Sequence, residues 1–195
     1  PLMKLVNAKA SKGSGMDSRI DVLSYFPSKV RLGRNGRREK DTFAYLLNFT
    51  RHTPRDVLRV FEEIRKIEDR IGDRTSRTLS QEVIREGVLQ YSTKYFVGAV
   101  SNEFAGFEGG VQAGRHAVEA LKRIGGDEFQ RSDFDLARKL VGGGSEVPTD
   151  NLLRLLFFAG AIGNVFKSGN ERYMQFYHRR DDSEVYTAGT MKLHH

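Results

Sequence analysis

The segment Thr53-Pro54-Arg55-Asp56 restricts this chain more than any other. A threonine can accept a hydrogen bond from the first turn of a helix. Proline already has the φ of a first helical residue and lacks the N–H that would be left over, and an early acid meets the positive end of the helix dipole. A helix must begin here. Val57, Val60, Phe61, Ile64, Ile67 and Ile71 follow at helical spacing and make a buried stripe, while Arg55, Arg59, Glu62, Glu63 and Lys66 occupy the opposite face. Gly72 stands where a C-terminal cap is expected.

With 195 residues, the chain is long enough for one ordinary domain or two small ones and too short for a large multidomain enzyme. Hydrophobic residues are 38% and charged residues 29%, and mean hydropathy is -0.50. These values fit a soluble helical protein and exclude collagen-like, mucin-like and wholly disordered classes. The longest apolar run, residues 155–162, is far below the roughly 20 residues a bilayer requires. No secretory signal is visible, and no membrane partner is expected. Cysteine is absent, so disulfides, thiolate nucleophiles and cysteine-rich zinc sites are excluded, and a reducing cytoplasm is the expected location. Asn48-Phe49-Thr50 matches a glycosylation acceptor by chance, within a predicted helix. The chain starts at Pro1 rather than at a methionine, so a preceding region is expected.

The net charge of +7 is concentrated at one end. Residues 1–75 hold 17 basic and 10 acidic side chains, whereas residues 76–195 hold 15 of each. The densest patch comprises Lys29, Arg31, Arg34, Arg37, Arg38 and Lys40, spaced by Gly33 and Gly36 and interrupted by Glu39. It reads as a flexible basic loop suited to phosphate, of a nucleotide or of a nucleic-acid backbone, or else as a solvated loop without a ligand.

Around these features the pattern predicts short helices over residues 17–26 and 42–50, then the helix from Pro54. The polar stretch 73–78 is the expected domain boundary. A long helix over 81–104, capped by Ser80, should follow, with Val83, Ile84, Val88, Tyr91, Tyr95 and Phe96 as its apolar positions. Helices over 111–124, 132–141 and from Thr149, with an extended piece at Phe129, precede two predicted strands, 173–179 and 185–193, joined by the turn Arg180-Asp181-Asp182-Ser183. Three helices and a terminal hairpin give the winged-helix order.

Chemical motifs are sparse. Gly33-Arg34-Asn35-Gly36 and Gly142-Gly143-Gly144 lack the lysine of a P-loop. His52, His116, His178, His194 and His195 lack the i, i+4 spacing of a helical zinc site, and no metal is expected; the final two are native residues or the start of a tag. No Gly-x-Ser-x-Gly elbow occurs, and no catalytic residue stands out. What remains is Arg55, placed where helix N–H groups can meet a phosphate, or else paired with Asp56 or Glu63.

Residues 41–66, DTFAYLLNFTRHTPRDVLRVFEEIRK, resemble the lid region of bacterial P-loop ATPases of the AAA/STAND kind, whose Pro-Arg-Asp helix start holds a sensor-2-like arginine. LLRLLFFAGAIGNVF (152–166) with RYMQFYHR from Arg172 is similar to the end of the winged helix that follows the lid in such ATPases and in origin-recognition initiators. The resemblance implies a mainly α fold, with a basic helical lid-like region over 1–75 followed by a long helix and a winged-helix domain with a C-terminal β-hairpin over 76–195. It implies a non-catalytic regulatory portion of an ATPase, with Arg55 sensing the nucleotide phosphate. The P-loop and the Walker B acid would lie upstream, so ATP and magnesium belong to the full-length parent and no cofactor to this chain. The expected partner is the ATPase core in cis, with nucleic-acid contact and homo-oligomers left open.

The expected third helix shows only Asn151 and Arg154 among Leu152, Leu153, Leu155, Leu156, Phe157 and Phe158, so it suits burial rather than base reading. Backbone contact would fall to Lys167, Arg172, Arg179 and Arg180. The competing reading is a free-standing winged-helix DNA-binding protein with phosphate-directed, non-specific binding.

Overall fold

A computed structural model describes residues 2–14, 21–32, 37–72, 75–142, 146–169, 171–179 and 183–194. The chain divides into two compact units, Pro1–Tyr95 and Phe96–His195, so the polar stretch at 73–78 lies within the first.

The first unit is organised by the helix that the sequence announces. Thr53 Oγ1 accepts the Asp56 N–H at 3.1 Å and starts α3, Pro54–Ile71, of which Val57, Val60, Ile64 and Ile67 are buried. Ile71, expected on the same stripe, is 51% exposed. The partner of that stripe is α4, Gln81–Gln90, which buries Val83, Ile84 and Val88. Gly87 lets the two helices approach, since a Cβ there would lie 2.6 Å from the Ile64 Cα. Helix α1, Leu2–Ser14, packs on α3 through the fully buried Val6. It is anchored where Asn7 Oδ1 accepts the Val22 N–H at 3.1 Å. Of the helix expected over 17–26, a 3-10 turn forms at Val22–Tyr25, and residues 17–20 lie outside the described residues.

The described parts of the basic segment are mostly strand rather than loop, and residues 33–36 lie outside the described residues. Lys29–Leu32 (β1) and Arg38–Asp41 (β2) form an antiparallel hairpin with Val30 completely buried. The outer edge of β1 is held from α4, where Gln81 Oε1 accepts the Arg31 N–H at 3.1 Å and Arg85 donates to the Arg31 carbonyl. Asp41 ends the hairpin and caps α2, Thr42–Leu47, accepting the Ala44 N–H at 2.8 Å. Alternation of Val30 and Leu32 with charged neighbours was the available strand signal, and the glycines and like charges outweighed it.

The predicted helix over 81–104 is also interrupted. After α4 the backbone widens into a π-helical turn at Tyr91–Phe96, at the border of the two units, before α5, Val97–Glu103.

In the second unit, α5, α6 (Gly110–Arg123), α7 (Arg131–Val141) and α8 (Thr149–Phe158) pack with a four-stranded antiparallel sheet. Its strands are β3 (Glu128–Phe129), β4 (Ile162–Ser168), β5 (Glu171–Gln175) and β6 (Thr190–Leu193), in the order β3-β6-β4-β5. The expected fold class therefore requires correction: two antiparallel sheets make this a mixed α/β chain, mostly helical, and the mainly α winged-helix plan with a terminal two-stranded hairpin does not describe it. Segments 173–179 and 185–193 do not pair with each other. Between them lies β4, with Val165 opposite Met174 on one side and Thr190 on the other. Residues 161–166, AIGNVF, are too short a stretch for periodicity to separate strand from helix. Gly160, at φ 74, takes the left-handed conformation that ends α8 and releases the chain into β4. Residues 185–189 stay out of the sheet because buried Asn164 holds them, donating to the Glu184 carbonyl and accepting the Tyr186 N–H, both at 2.8 Å.

Candidate functional site

The start of α3 separates two adjacent charged residues. Asp56 is fully buried and accepts three hydrogen bonds from Arg51, from its backbone N–H at 3.1 Å, Nε at 3.0 Å and Nη2 at 3.3 Å. His52 permits this return, holding φ 57 in a region that histidine tolerates better than bulky or β-branched residues do. Tyr91 lies beside this pair, completely buried, and its hydroxyl ionises well above the ordinary range because of burial first and the Asp56 charge second.

Arg55 faces the other way. It is exposed and pairs with no acid among the described residues. Asp56, its neighbour, belongs to Arg51, and Glu63 belongs to Lys66 at 2.6 Å. The pairing of Arg55 with Asp56 or Glu63, allowed by the sequence, does not occur. The result is a cation at the positive end of an 18-residue helix, where an incoming anion would meet the guanidinium and the helix dipole together.

Arg55 also lines an open groove of about 1190 Å³ along α3, bounded by α1 and the Val22–Tyr25 turn. Leu5, Val6, Ala10, Tyr25, Leu58 and Phe61 form much of its wall. Lys9, Arg59 and Arg65 are the other cations on it.

The hairpin distributes its charges unevenly. Glu39 lies across from Arg31 and approaches Lys29 at 3.5 Å and Arg31 at 3.7 Å, so the two cations on β1 share one acid. Arg37 and Arg38 are exposed at its far end and Lys40 is half-buried, none with an ion pair among the described residues. Arg34 lies outside the described residues.

In the second unit, Arg172 is engaged by Glu128 and faces Lys167 across the β4-β5 ladder. Arg179 closes a 3-10 turn with its guanidinium 4.9 Å from the Phe176 ring centre, and Arg180 lies outside the described residues. Phe176 belongs to an aromatic cluster in which the His178 and His194 rings meet edge to face at 4.8 Å, with Phe96 stacked on His194 at 5.2 Å. His194 is thus built into the fold, and its N–H donates to the Ala161 carbonyl at 2.8 Å.

Sequence reasoning missed the Arg51–Asp56–Tyr91 cluster and the histidine pair. Asp56 carried a signal as an acid in a first turn, but its partner is recruited by the left-handed backbone at His52. Tyr91 read as one apolar position among several. His178 and His194 are 16 positions apart, and only the return of β6 along β4 joins their ends of the sheet. Among the described residues no helix is long and apolar enough to cross a membrane, and no three His, Asp or Glu side chains cluster as metal ligands. No family model, curated protein or solved structure matches this chain.

Proposed function

We propose that this chain is a non-catalytic regulatory portion of a P-loop ATPase, in which the first unit acts as a lid and Arg55 senses the nucleotide phosphate. The observation that carries the reading is the division of labour at the start of α3. Asp56 is consumed by Arg51, and Arg55 is left exposed and without an acid on a helix N-terminus. A guanidinium so placed adds charge-assisted hydrogen bonds to a phosphate, each worth about 1.5 to 3 kcal/mol. Magnesium and the Gly-Lys-Ser/Thr cradle for the phosphates belong, in this reading, to a core ahead of Pro1, which is the partner in cis in a cytoplasmic parent. This chain supplies a cation to the phosphate and no step of the hydrolysis.

The test is Arg55→Ala in the parent reading frame. It should reduce nucleotide-dependent activity by about tenfold or more while the thermal melt of the present chain is unchanged. A variant with full nucleotide response, or a parent frame without a Gly-Lys-Ser/Thr segment, would overturn the reading.

Exposed Arg37 and Arg38 at the end of the hairpin favour a second reading, phosphate-directed contact with nucleic acid without base recognition. Charge reversal at both should abolish binding to an oligonucleotide and its salt dependence. Persistence of binding removes this reading.

A further inference from the structure

We infer that the groove along α3 is a docking site for an acidic amphipathic helix of another protein. Its shape comes first. The wall residues from Pro54 to Glu68 follow one side of α3 for about 21 Å, and the volume of about 1190 Å³ exceeds the ~300–1,000 Å³ of compact small-molecule sites. An open channel of that length fits two to three helical turns with apolar anchors at i, i+3 or i+4, and i+7. The apolar surface to receive them is already outside. Leu5 is 52% and Tyr25 54% exposed, and both line the groove.

Charge selects the occupant. Four cations line the groove against two acids, Glu62 and the half-buried Glu68: Lys9, Arg55 and Arg65 have no acid partner among the described residues, whereas Arg59 is engaged by Glu62 at 2.5 Å and lies 5.7 Å from the Tyr95 ring centre. Residues 1–95 as a whole carry 20 basic and 12 acidic side chains. Carboxylates flanking an apolar stripe would therefore meet unpaired cations on both α1 and α3, and lysines in the same places would be repelled. A nucleic acid would leave the apolar wall uncovered. This inference does not rest on nucleotide sensing, and its test leaves Arg55 untouched.

The probe is a fluorescein-labelled peptide of about 16 residues, with leucines at helical spacing and glutamates on both flanks. Anisotropy is read against the same peptide carrying lysines for glutamates and against a single-stranded oligonucleotide. The glutamate peptide should bind, and the lysine peptide should not. Lys9→Glu with Arg65→Glu should weaken binding by roughly tenfold, with thermal melts matched to the parent chain. Tyr25→Ala should weaken it by about threefold or more through lost apolar contact. Amide shifts on adding the peptide should cluster on α1 and the groove side of α3. Equal binding of both peptides, an unchanged Kd in the double charge-reversal variant, or displacement of the peptide by the oligonucleotide would overturn the proposal.

Discussion

Residues 1–95 carry 20 basic against 12 acidic side chains, a net +8, whereas residues 96–195 carry 12 against 13, a net −1. The two units have comparable lengths and comparable means of holding a core, namely helices brought close at a glycine. Gly87 meets Ile64 in the first, and Gly114 meets Ser101 in the second, where a Cβ would lie 2.8 Å from the Ser101 carbonyl oxygen. They differ in the surplus of cations over acids. Both units pair some cations and leave others: in the second, Lys192, Arg131 and Arg172 are matched with Asp127, Asp135, Asp150 and Glu128, while exposed Arg115, Arg123, Lys139 and Arg154 have no acid partner among the described residues. In the first, Lys9, Arg37, Arg38, Arg55 and Arg65 have no acid partner among the described residues. Surplus charge of one sign works against folding through self-repulsion and attracts an opposite partner. By that argument the first unit, with its net positive charge, is the one that would attract an anionic ligand.

The first unit can be broken most forcefully at Arg51, the cation whose acid partner is fully buried. Asp56→Ala leaves Arg51 with a largely buried charge and no carboxylate, and removing one partner of a buried pair costs about 3–5 kcal/mol. Hydrogen exchange should show lost protection across α3 and α4, with α6 to α8 less affected. Equal loss in both units would mean that they do not respond separately. Next in size, Gly87→Ala and Gly114→Ala should each destabilise by about 1–3 kcal/mol, because backbone atoms at both sites must move. The matched pair asks whether the two helix contacts are equally tight, read from chemical denaturation of each variant.

A smaller, pH-dependent effect sharpens the difference. Tyr91 holds its proton more firmly when folded than at its ordinary value of 10.0. Its stabilisation is complete below that pH and declines above it, as the unfolded chain ionises while the folded one does not. The slope should approach about −1.4 kcal/mol per pH unit at most, and Tyr91→Phe should flatten this limb in denaturation series run from pH 8 upward. The smallest stability effect belongs to Arg55→Ala. An exposed cation without an acid partner should change stability by no more than about 0.5 kcal/mol. A larger fall in the melting temperature would mean that Arg55 holds the fold rather than waits for a ligand.

Local chemistry in the sequence determined where α3 begins and ends, because a capping threonine, a first-turn proline and a stripe at helical spacing act within one helix. It also determined that Leu152, Leu153, Leu155, Leu156 and Phe157 would be buried, since Asn151 and Arg154 alone give that stretch a polar side, and both are exposed. The membership of the sheet was a tertiary decision. Strand β4 lies between β5, its immediate neighbour in the sequence, and β6, and the pairing with β6 joins segments far apart in the chain and leaves no periodic trace in either. The hairpin of basic residues formed against its charge pattern because Val30 had a core to enter and α4 offered Gln81 and Arg85 to its edge. The same holds at the candidate site. The sequence placed Arg55 and Asp56 side by side, and backbone direction at His52 decided which would be buried with Arg51 and which would face solvent, because a charge can be buried only where a partner reaches it.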